Sequence, residues 1–340
     1  MTQESLPEDV GRQITDMQQR VLGAPLEYTR EQVASDAAVP LEAARVLWRS
    51  MGYADVGEAV AFTERDKEAL HRMLNMIEVG HLDPDTANDL TRALGQTTAR
   101  LADWQVNALA GHLEREGLID PVDGLAPATL DVFVDELEKL TPDLEALLVY
   151  VWRRAVATTV TRAAVTGSGS TDGDAGVLTV GFADMVGYTR LSRRLPEDEL
   201  ARLVQRFEAV SSDIVAAGGG RLVKTVGDEV LFVATAADEA AEIALRLHET
   251  HAEDDSVPEM RVGLATGQVL SRMGDVFGTT VNLASRLTAM AKPGGSLVDS
   301  ETRLQLVEDE RFALRGQRGR PVRGFGVLRA FQLTRAPVDD

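Results

Sequence analysis

The chain has 340 residues, a net charge of −19, an apolar content of 44% and no cysteine. This length suffices for two domains with cores of their own, and the composition is that of a globular protein. The absence of cysteine excludes disulfide frameworks and thiolate zinc sites. Residues 1–165 carry 15 Lys and Arg against 28 Asp and Glu, a charge of −13 that disfavours nucleic-acid binding.

The N-terminal sequence MTQESLPEDV lacks the basic and apolar regions of a secretory signal. No stretch approaches about 18 consecutive apolar residues, the length needed to span a bilayer. The most apolar helical candidate, residues 144–165, is interrupted by three arginines. We therefore expect a soluble, cytoplasmic protein without membrane insertion.

The first half, residues 1–165, is predicted to be helical throughout. Its apolar residues recur at intervals of three and four, which is the period of a helix that buries one face. Capping side chains before acidic residues predict helix starts at Thr63, Asp83 and Thr141. The last segment, 149–165, contains no helix breaker and predicts one continuous helix.

Residues 28–53 resemble the helix-turn-helix pattern of MerR-like DNA readers. One interpretation is a recognition helix for a major groove, and the other is a packed helix pair. The negative charge of this half favours packing, because it would repel a phosphate backbone. Trp48 is accordingly predicted to be a core residue.

A Gly-, Ser- and Asp-rich segment at 166–176, TGSGSTDGDAG, predicts a flexible linker between two domains. Strands and helices alternate after it, with a loop expected around Thr266 and Gly267. Strands are predicted at 177–180, on both sides of a turn at 227–228, at 260–264, at 297–298 and at 325–333. Helices are predicted at 197–217, 237–251 and within 276–287.

Two carboxylates are candidates for a metal site. Asp184 follows the first strand, where a turn leads towards a helix and backbone N–H groups can face phosphate oxygens. Asp228 lies at the tip of the predicted hairpin. Two such carboxylates can hold two divalent ions around an in-line phosphoryl displacement. A helix cap and an ordinary turn residue are the alternative interpretations. The turn after Asp184 consists of Val186, Gly187, Tyr188 and Thr189.

Three motifs, FADMVGYT at 182–189, KTVGDEVLF at 224–232 and GDVFGTTVNLASRL at 274–287, together resemble the catalytic domain of class III nucleotidyl cyclases. The resemblance covers residues 175–335 and implies a head-to-tail homodimer with shared active sites. The expected fold class is α+β, with an all-helical N-terminal regulatory domain followed by a ferredoxin-like α/β catalytic domain at 177–335.

The resemblance also implies roles for single residues. Asp184 and Asp228, with the adjacent Met185, would bind two Mg²⁺ or Mn²⁺ ions per site. The turn after Asp184 would contact the substrate phosphates. Asn282 would orient the ribose, and Arg286 would stabilise the transition state, for which a permanently charged guanidinium is suited.

Lys224 and Asp275 match the residue pair that selects the purine. A lysine donates to N1 of adenine and a carboxylate accepts from its 6-amino group, whereas guanine reverses both patterns. The expected function is therefore that of an adenylyl cyclase, which converts ATP to 3′,5′-cyclic AMP and pyrophosphate. A guanylyl cyclase, a DNA-binding regulator with a cyclase-like domain and a pure interaction module are the alternatives.

One departure from the family pattern concerns the residue that binds the substrate phosphates. Family members often carry a lysine after the glycine near the last strand, and here Phe325 follows Gly324. The substitute stays open among four arginines: Arg318, Arg320, Arg323 and Arg329.

The first half resembles more weakly the helical regulatory domain of soluble actinobacterial adenylyl cyclases, for which pH sensing is implied. The helix 149–165 would transmit the signal. His71, His81 and His112 are candidate sensors, because imidazole titrates near pH 6.5. Histidines without a regulatory role, and a small ligand such as a lipid as the input, are the alternatives.

Overall fold

The computed structural model describes residues 8–120, 127–166, 175–253, 258–272 and 274–337. The chain divides into two compact units, 1–158 and 159–340. The predicted order, a helical half before an α/β half, is confirmed. The division falls inside a helix that ends at Thr166, and the next strand starts at Ala175. The predicted linker between them lies largely outside the described residues.

The described part of the first half is helical, and within the described residues no helix combines the length and apolar character needed to cross a bilayer. The helices are α1 (Glu8–Leu22), α2 (Arg30–Asp36), α3 (Leu41–Met51), α4 (Glu64–Glu78), α5 (Pro84–Arg115) and α6 (Pro127–Thr166).

Two of the predicted helix starts are confirmed, and one is wrong. The Thr63 hydroxyl accepts from the Asp66 amide, and Asp83 Oδ1 accepts from the Thr86 amide at 2.9 Å. Thr141 lies inside α6, where its hydroxyl donates to the Leu137 carbonyl at 2.8 Å instead of capping a new helix. The predicted helix 149–165 is therefore the last part of a longer helix.

A small apolar core joins α2, α3 and α4. Trp48 is 6% exposed and packs against Phe62 in a tilted arrangement, with ring centroids 4.7 Å apart. The prediction that Trp48 is a core residue is confirmed, so α3 uses this side chain for packing.

The second half alternates strands and helices. These are β1 (Ala175–Met185), α7 (Tyr188–Leu191), α8 (Glu197–Ala217), β2 (Arg221–Val226), β3 (Glu229–Ala234), α9 (Ala237–Glu253), β4 (Met260–Arg272), β5 (Asp275–Phe277), α10 (Thr279–Met290), β6 (Ser296–Val298), α11 (Ser300–Leu306), β7 (Phe312–Gly316), β8 (Arg320–Val322), β9 (Gly326–Leu328) and β10 (Phe331–Arg335).

The main sheet has the strand order β2-β3-β1-β4-β6-β10-β7, with β5 paired to the end of β4. Strand β1 is antiparallel to both β3 and β4. Helix α8 connects β1 to β2, and α9 connects β3 to β4. The order β4-β1-β3-β2 with these two crossovers is the predicted ferredoxin-like arrangement.

Alternating side chains of the central strands fill two cores. Phe232 and Ala183 face one side, which α8 and α9 cover, whereas Leu231 and Phe182 face the other, which α10 covers. Successive residues of a strand point to opposite faces of the sheet. Since both faces are covered here, the central strands are apolar on both faces.

Two strand predictions differ from the structure. Thr266 and Gly267, expected in a loop, belong to β4 and pair with Thr179 and Leu178 of β1. A Cβ on Gly267 would lie 2.8 Å from the Thr280 hydroxyl, so this glycine makes room for α10 and does not form a turn. The predicted strand 325–333 is two strands, β9 and the start of β10.

Candidate active site

Asp184 lies at the end of β1, where the sheet brings two charged neighbours to it. In register it pairs with Glu229 of β3 on one side and Arg261 of β4 on the other. The Met185 amide donates to the Asp228 carbonyl at 2.9 Å, which fixes the end of β1 to the hairpin tip. The two predicted metal-binding aspartates are therefore brought together.

The electrostatics of this cluster favour a cation. Burial raises the pKa of Asp184 above its usual value; the Arg261 guanidinium opposes this, and the Asp228 carboxylate adds to it. Burial also raises the pKa of Glu229, and the charges of Asp184 and Asp228 raise it further. Three carboxylates thus face one guanidinium, which contacts Asp184 directly.

The donor set fits Mg²⁺ or Mn²⁺, which prefer carboxylate oxygens. Among the described residues no group of three or more metal-ligating side chains surrounds one point. A site with two aspartates agrees with magnesium chemistry, since substrate phosphates and water usually complete the coordination. The Met185 side chain is 1% exposed in the core, so this residue could offer only its backbone carbonyl.

The turn after Asp184 is partly available for phosphate oxygens. The Val186 amide already donates to the Glu259 carbonyl at 2.7 Å. Within the described residues, the amides of Gly187, Tyr188 and Thr189 donate to no backbone carbonyl. Gly187 has φ of +79°, a left-handed conformation that glycine adopts at little cost and that turns the chain into α7.

Lys224 and Asp275 form an ion pair. Lys224 Nζ of β2 lies 2.6 Å from Asp275 Oδ2 at the start of β5, and both side chains are partly exposed. The Arg221 guanidinium donates to the Gly274 carbonyl at 2.9 Å and ties the same two segments together. A donor and an acceptor are thus presented side by side on an accessible surface.

Asn282 and Arg286 lie four residues apart on the exposed face of α10. The opposite face, with Ala284 and Leu287, is buried against the sheet. Among the described residues neither Asn282 nor Arg286 has a side-chain partner, and neither bonds to Asp184 or to Lys224. The predicted residues therefore form separate groups within one chain.

Sequence reasoning missed Arg261 and Glu229, the two side chains that flank Asp184. Arg261 interrupts the apolar strand Met260–Leu264, and a charged residue there was an available signal.

The four arginines considered for the phosphates are all exposed, and Arg320 lies in β8. The three candidate sensor histidines, His71, His81 and His112, are exposed as well.

Residues 173–335 match the family model described as the adenylate and guanylate cyclase catalytic domain. An adenylate cyclase of Streptomyces coelicolor is 46% identical over 93% of this chain and 88% of the relative. An adenylate cyclase of Glutamicibacter nicotianae is 41% identical over 96% and 84% of the two chains.

A third relative is a pH-sensitive adenylate cyclase of Mycobacterium tuberculosis, 29% identical over 89% of this chain and 77% of the relative. The first two similarities extend through the helical half as well as the α/β half. Together with the ferredoxin-like sheet and the paired aspartates, they show that the chain belongs to the adenylate and guanylate cyclase family.

Proposed function

We propose that the protein is an adenylyl cyclase that converts ATP to 3′,5′-cyclic AMP and pyrophosphate. The observation that carries the choice of ATP is the ion pair of Lys224 and Asp275. Its donor and acceptor complement N1 and the 6-amino group of adenine and oppose those of guanine. The names of the relatives support the same substrate, and we place the reaction in the cytoplasm, the compartment that holds ATP.

The active enzyme in this proposal is a homodimer with two shared sites. Asp184 and Asp228 act from one subunit, and Lys224, Asp275, Asn282 and Arg286 act from the other. Among the residues that the structure describes, no side-chain bond joins the two groups within one chain, which agrees with such sharing. Helix α6 also exposes large apolar side chains, including Tyr150 and Trp152 at 63% and 60%, as association surfaces do.

The chain's own residues have distinct tasks in this reaction. Asp184 and Asp228 hold the metal ions, which when bound lower the pKa of the 3′-hydroxyl and neutralise charge on the leaving group. Asn282 orients the ribose for in-line attack on the α-phosphorus. Arg286 donates to the oxygens of that phosphorus as negative charge develops.

Arg261 supplies a cation for the substrate phosphates. In the absence of a ligand its guanidinium neutralises Asp184, and its Nε is buried without a hydrogen-bond partner. Phosphate oxygens arriving beside Asp184 offer this group stronger, bidentate acceptors. A phosphate contact from β4 would compensate for the lysine that is absent near Phe325.

The test of the substrate assignment compares ATP with GTP on the purified full-length chain. The wild type is expected to show a much higher kcat/KM for ATP. Asp275→Asn should reduce the ATP preference at least about tenfold, because an amide can also donate to guanine. Asp238→Asn, a surface aspartate paired with Arg311, is the control. Comparable kcat/KM values for ATP and GTP in the wild type would overturn the proposal.

We further propose that the helical half regulates the reaction in response to pH, supported by the relative described as pH-sensitive. His71, His81 and His112 are the candidate sensors. Replacing all three with Gln should flatten the pH–rate profile of the full-length chain. A triple variant whose profile coincides with that of the wild type would discard these sensors.

A further inference from the structure

A basic surface lies at the C-terminal end of an otherwise acidic chain. Residues 311–338 contain seven arginines and no Asp or Glu, although the chain as a whole has a charge of −19. Arg311 pairs with Asp238 and Asp309, and Arg335 pairs with Glu242 and Glu249. The other five have no ion pair among the described residues, so their charges are available to an external anion: Arg315, Arg318, Arg320, Arg323 and Arg329.

Two of these arginines meet a lysine in one cleft. Arg318, Arg320 and Lys292 line it together with the amide side chains of Gln317 and Gln332, and no lining residue is acidic. Gln317 Nε2 donates to Gln332 Oε1 at 3.1 Å, which joins the residue after β7 to β10 at the cleft. The volume is about 50 Å³, so the cleft holds the end of a ligand and does not enclose one.

The sheet brings this cleft close to the metal-binding aspartates of the same chain. Arg261 of β4 is in register with Asp184 of β1, and its neighbour Val262 is in register with Ser296 of β6. The Val262 amide donates to the carbonyl of Gly295, and both Gly295 and Ser296 line the cleft. Two strand spacings separate β1 from β6, or about 10 Å.

We propose that Lys292, Arg318 and Arg320 form an oxyanion-binding cleft for a phosphoryl group, and that pyrophosphate leaving the neighbouring active site occupies it. Three cations that form no ion pair within the described part of the chain favour a multiply charged anion. Arginine and lysine are the side chains that proteins use to bind phosphate. The second part of this inference rests on the proposed cyclase function, whereas the cleft itself does not.

The experiment measures pyrophosphate binding to the full-length chain by titration calorimetry in EDTA, so that no divalent ion loads the aspartates. The variant K292Q/R318Q/R320Q should bind at least about tenfold more weakly than the wild type, since it loses three charge-assisted contacts. All three side chains are exposed, so the variant should keep the wild-type circular dichroism and Tm. R315Q removes an exposed arginine that does not line the cleft and should change the affinity less than about twofold.

Orthophosphate and sulfate are titrated beside pyrophosphate. Tighter binding of pyrophosphate supports the product assignment, and equal binding of orthophosphate overturns that assignment but keeps a phosphate cleft. Equal binding of sulfate, or an unchanged affinity in the triple variant, overturns the cleft. A failure to form cyclic AMP would overturn the cyclase proposal and leave this binding result standing.

Discussion

Lys224 Nζ and Asp275 Oδ2 lie 2.6 Å apart and form an ion pair. An exposed pair of this kind contributes little to the free energy of unfolding, because solvent screens both charges. In the proposed function the pair holds a donor beside an acceptor, so that little side-chain entropy would be lost on binding a base. Arg261 likewise holds the partly buried Asp184 carboxylate in place by direct contact.

His248 on α9 is the histidine that the structure places in an unusual environment. Its Nε2 lies 2.8 Å from the hydroxyl of Ser296 on β6. The pKa of His248 is lowered to about 4, chiefly by burial; the nearby His251 contributes to the lowering, and Glu249 opposes it. The folded protein therefore keeps this imidazole neutral at pH values where an unfolded chain would protonate it.

We expect this histidine to make stability depend on pH. Below about pH 6.5 the unfolded chain binds a proton that the folded chain does not bind. The free energy of unfolding should therefore fall between about pH 6.5 and 4, by about 3 kcal/mol. Tm measurements across this range should show a smaller loss in His248→Gln. His71→Gln, at an exposed site, should follow the wild type. Coincident curves for His248→Gln and the wild type would exclude the mechanism.

At the scale of elements, the position of α10 depends on a glycine in β4. A Cβ on Gly263 would lie 2.3 Å from the Thr288 amide nitrogen and 2.5 Å from the Ala284 carbonyl oxygen. The helix backbone therefore packs directly on the strand. This close packing sets how far Asn282 and Arg286 stand from the sheet.

Gly263→Ala should accordingly displace α10. We expect a loss of about 1–3 kcal/mol in stability from overpacking and a loss in kcat/KM of about a hundredfold, because the reacting groups are misplaced. Gly176→Ala in β1 is the matched control, since no atom lies within 4 Å of its added Cβ. Tm and kcat/KM are measured for both. Wild-type kcat/KM in Gly263→Ala would show that α10 does not position the chemistry.

At the scale of the whole molecule, the proposed homodimer with shared sites predicts complementation between two inactive subunits. Asp184→Asn and Arg286→Gln should each abolish turnover as homodimers, since each removes one half of both sites. A mixed dimer regains one intact site, so an equimolar mixture after subunit exchange should reach about a quarter of the wild-type activity.

The control for complementation is a mixture of Asp184→Asn with Asp228→Asn. Both substitutions affect the same half of the site, so every dimer in this mixture lacks an intact site. The mixture of Asp184→Asn with Arg286→Gln is compared with it in the same cyclic AMP assay. Equal, negligible activity in the two mixtures would contradict shared sites.

Much of this protein could be predicted from its sequence because the informative patterns are local. The β-branched strand before Asp184, the Gly227-Asp228 turn and the four-residue spacing of Asn282 and Arg286 each depend on neighbours in the chain. The capping roles of Thr63 and Asp83 could likewise be predicted from the sequence. Thr141 was wrongly predicted as a helix start. A threonine followed by a proline is typical of a helix start, but here the same dipeptide lies inside a continuous helix.

The tertiary structure decided which residues from distant segments of the chain are in contact. Strand pairing placed Arg261 and Glu229 beside Asp184, and it placed the C-terminal arginines beside Lys292. The length of β4 and the environment of His248 also arise from contacts between residues far apart in sequence. Contacts of this kind leave no periodic pattern in the local sequence. The sequence alone was therefore enough to identify the family and the individual candidate residues. Which charged side chains lie next to each other was decided by the fold.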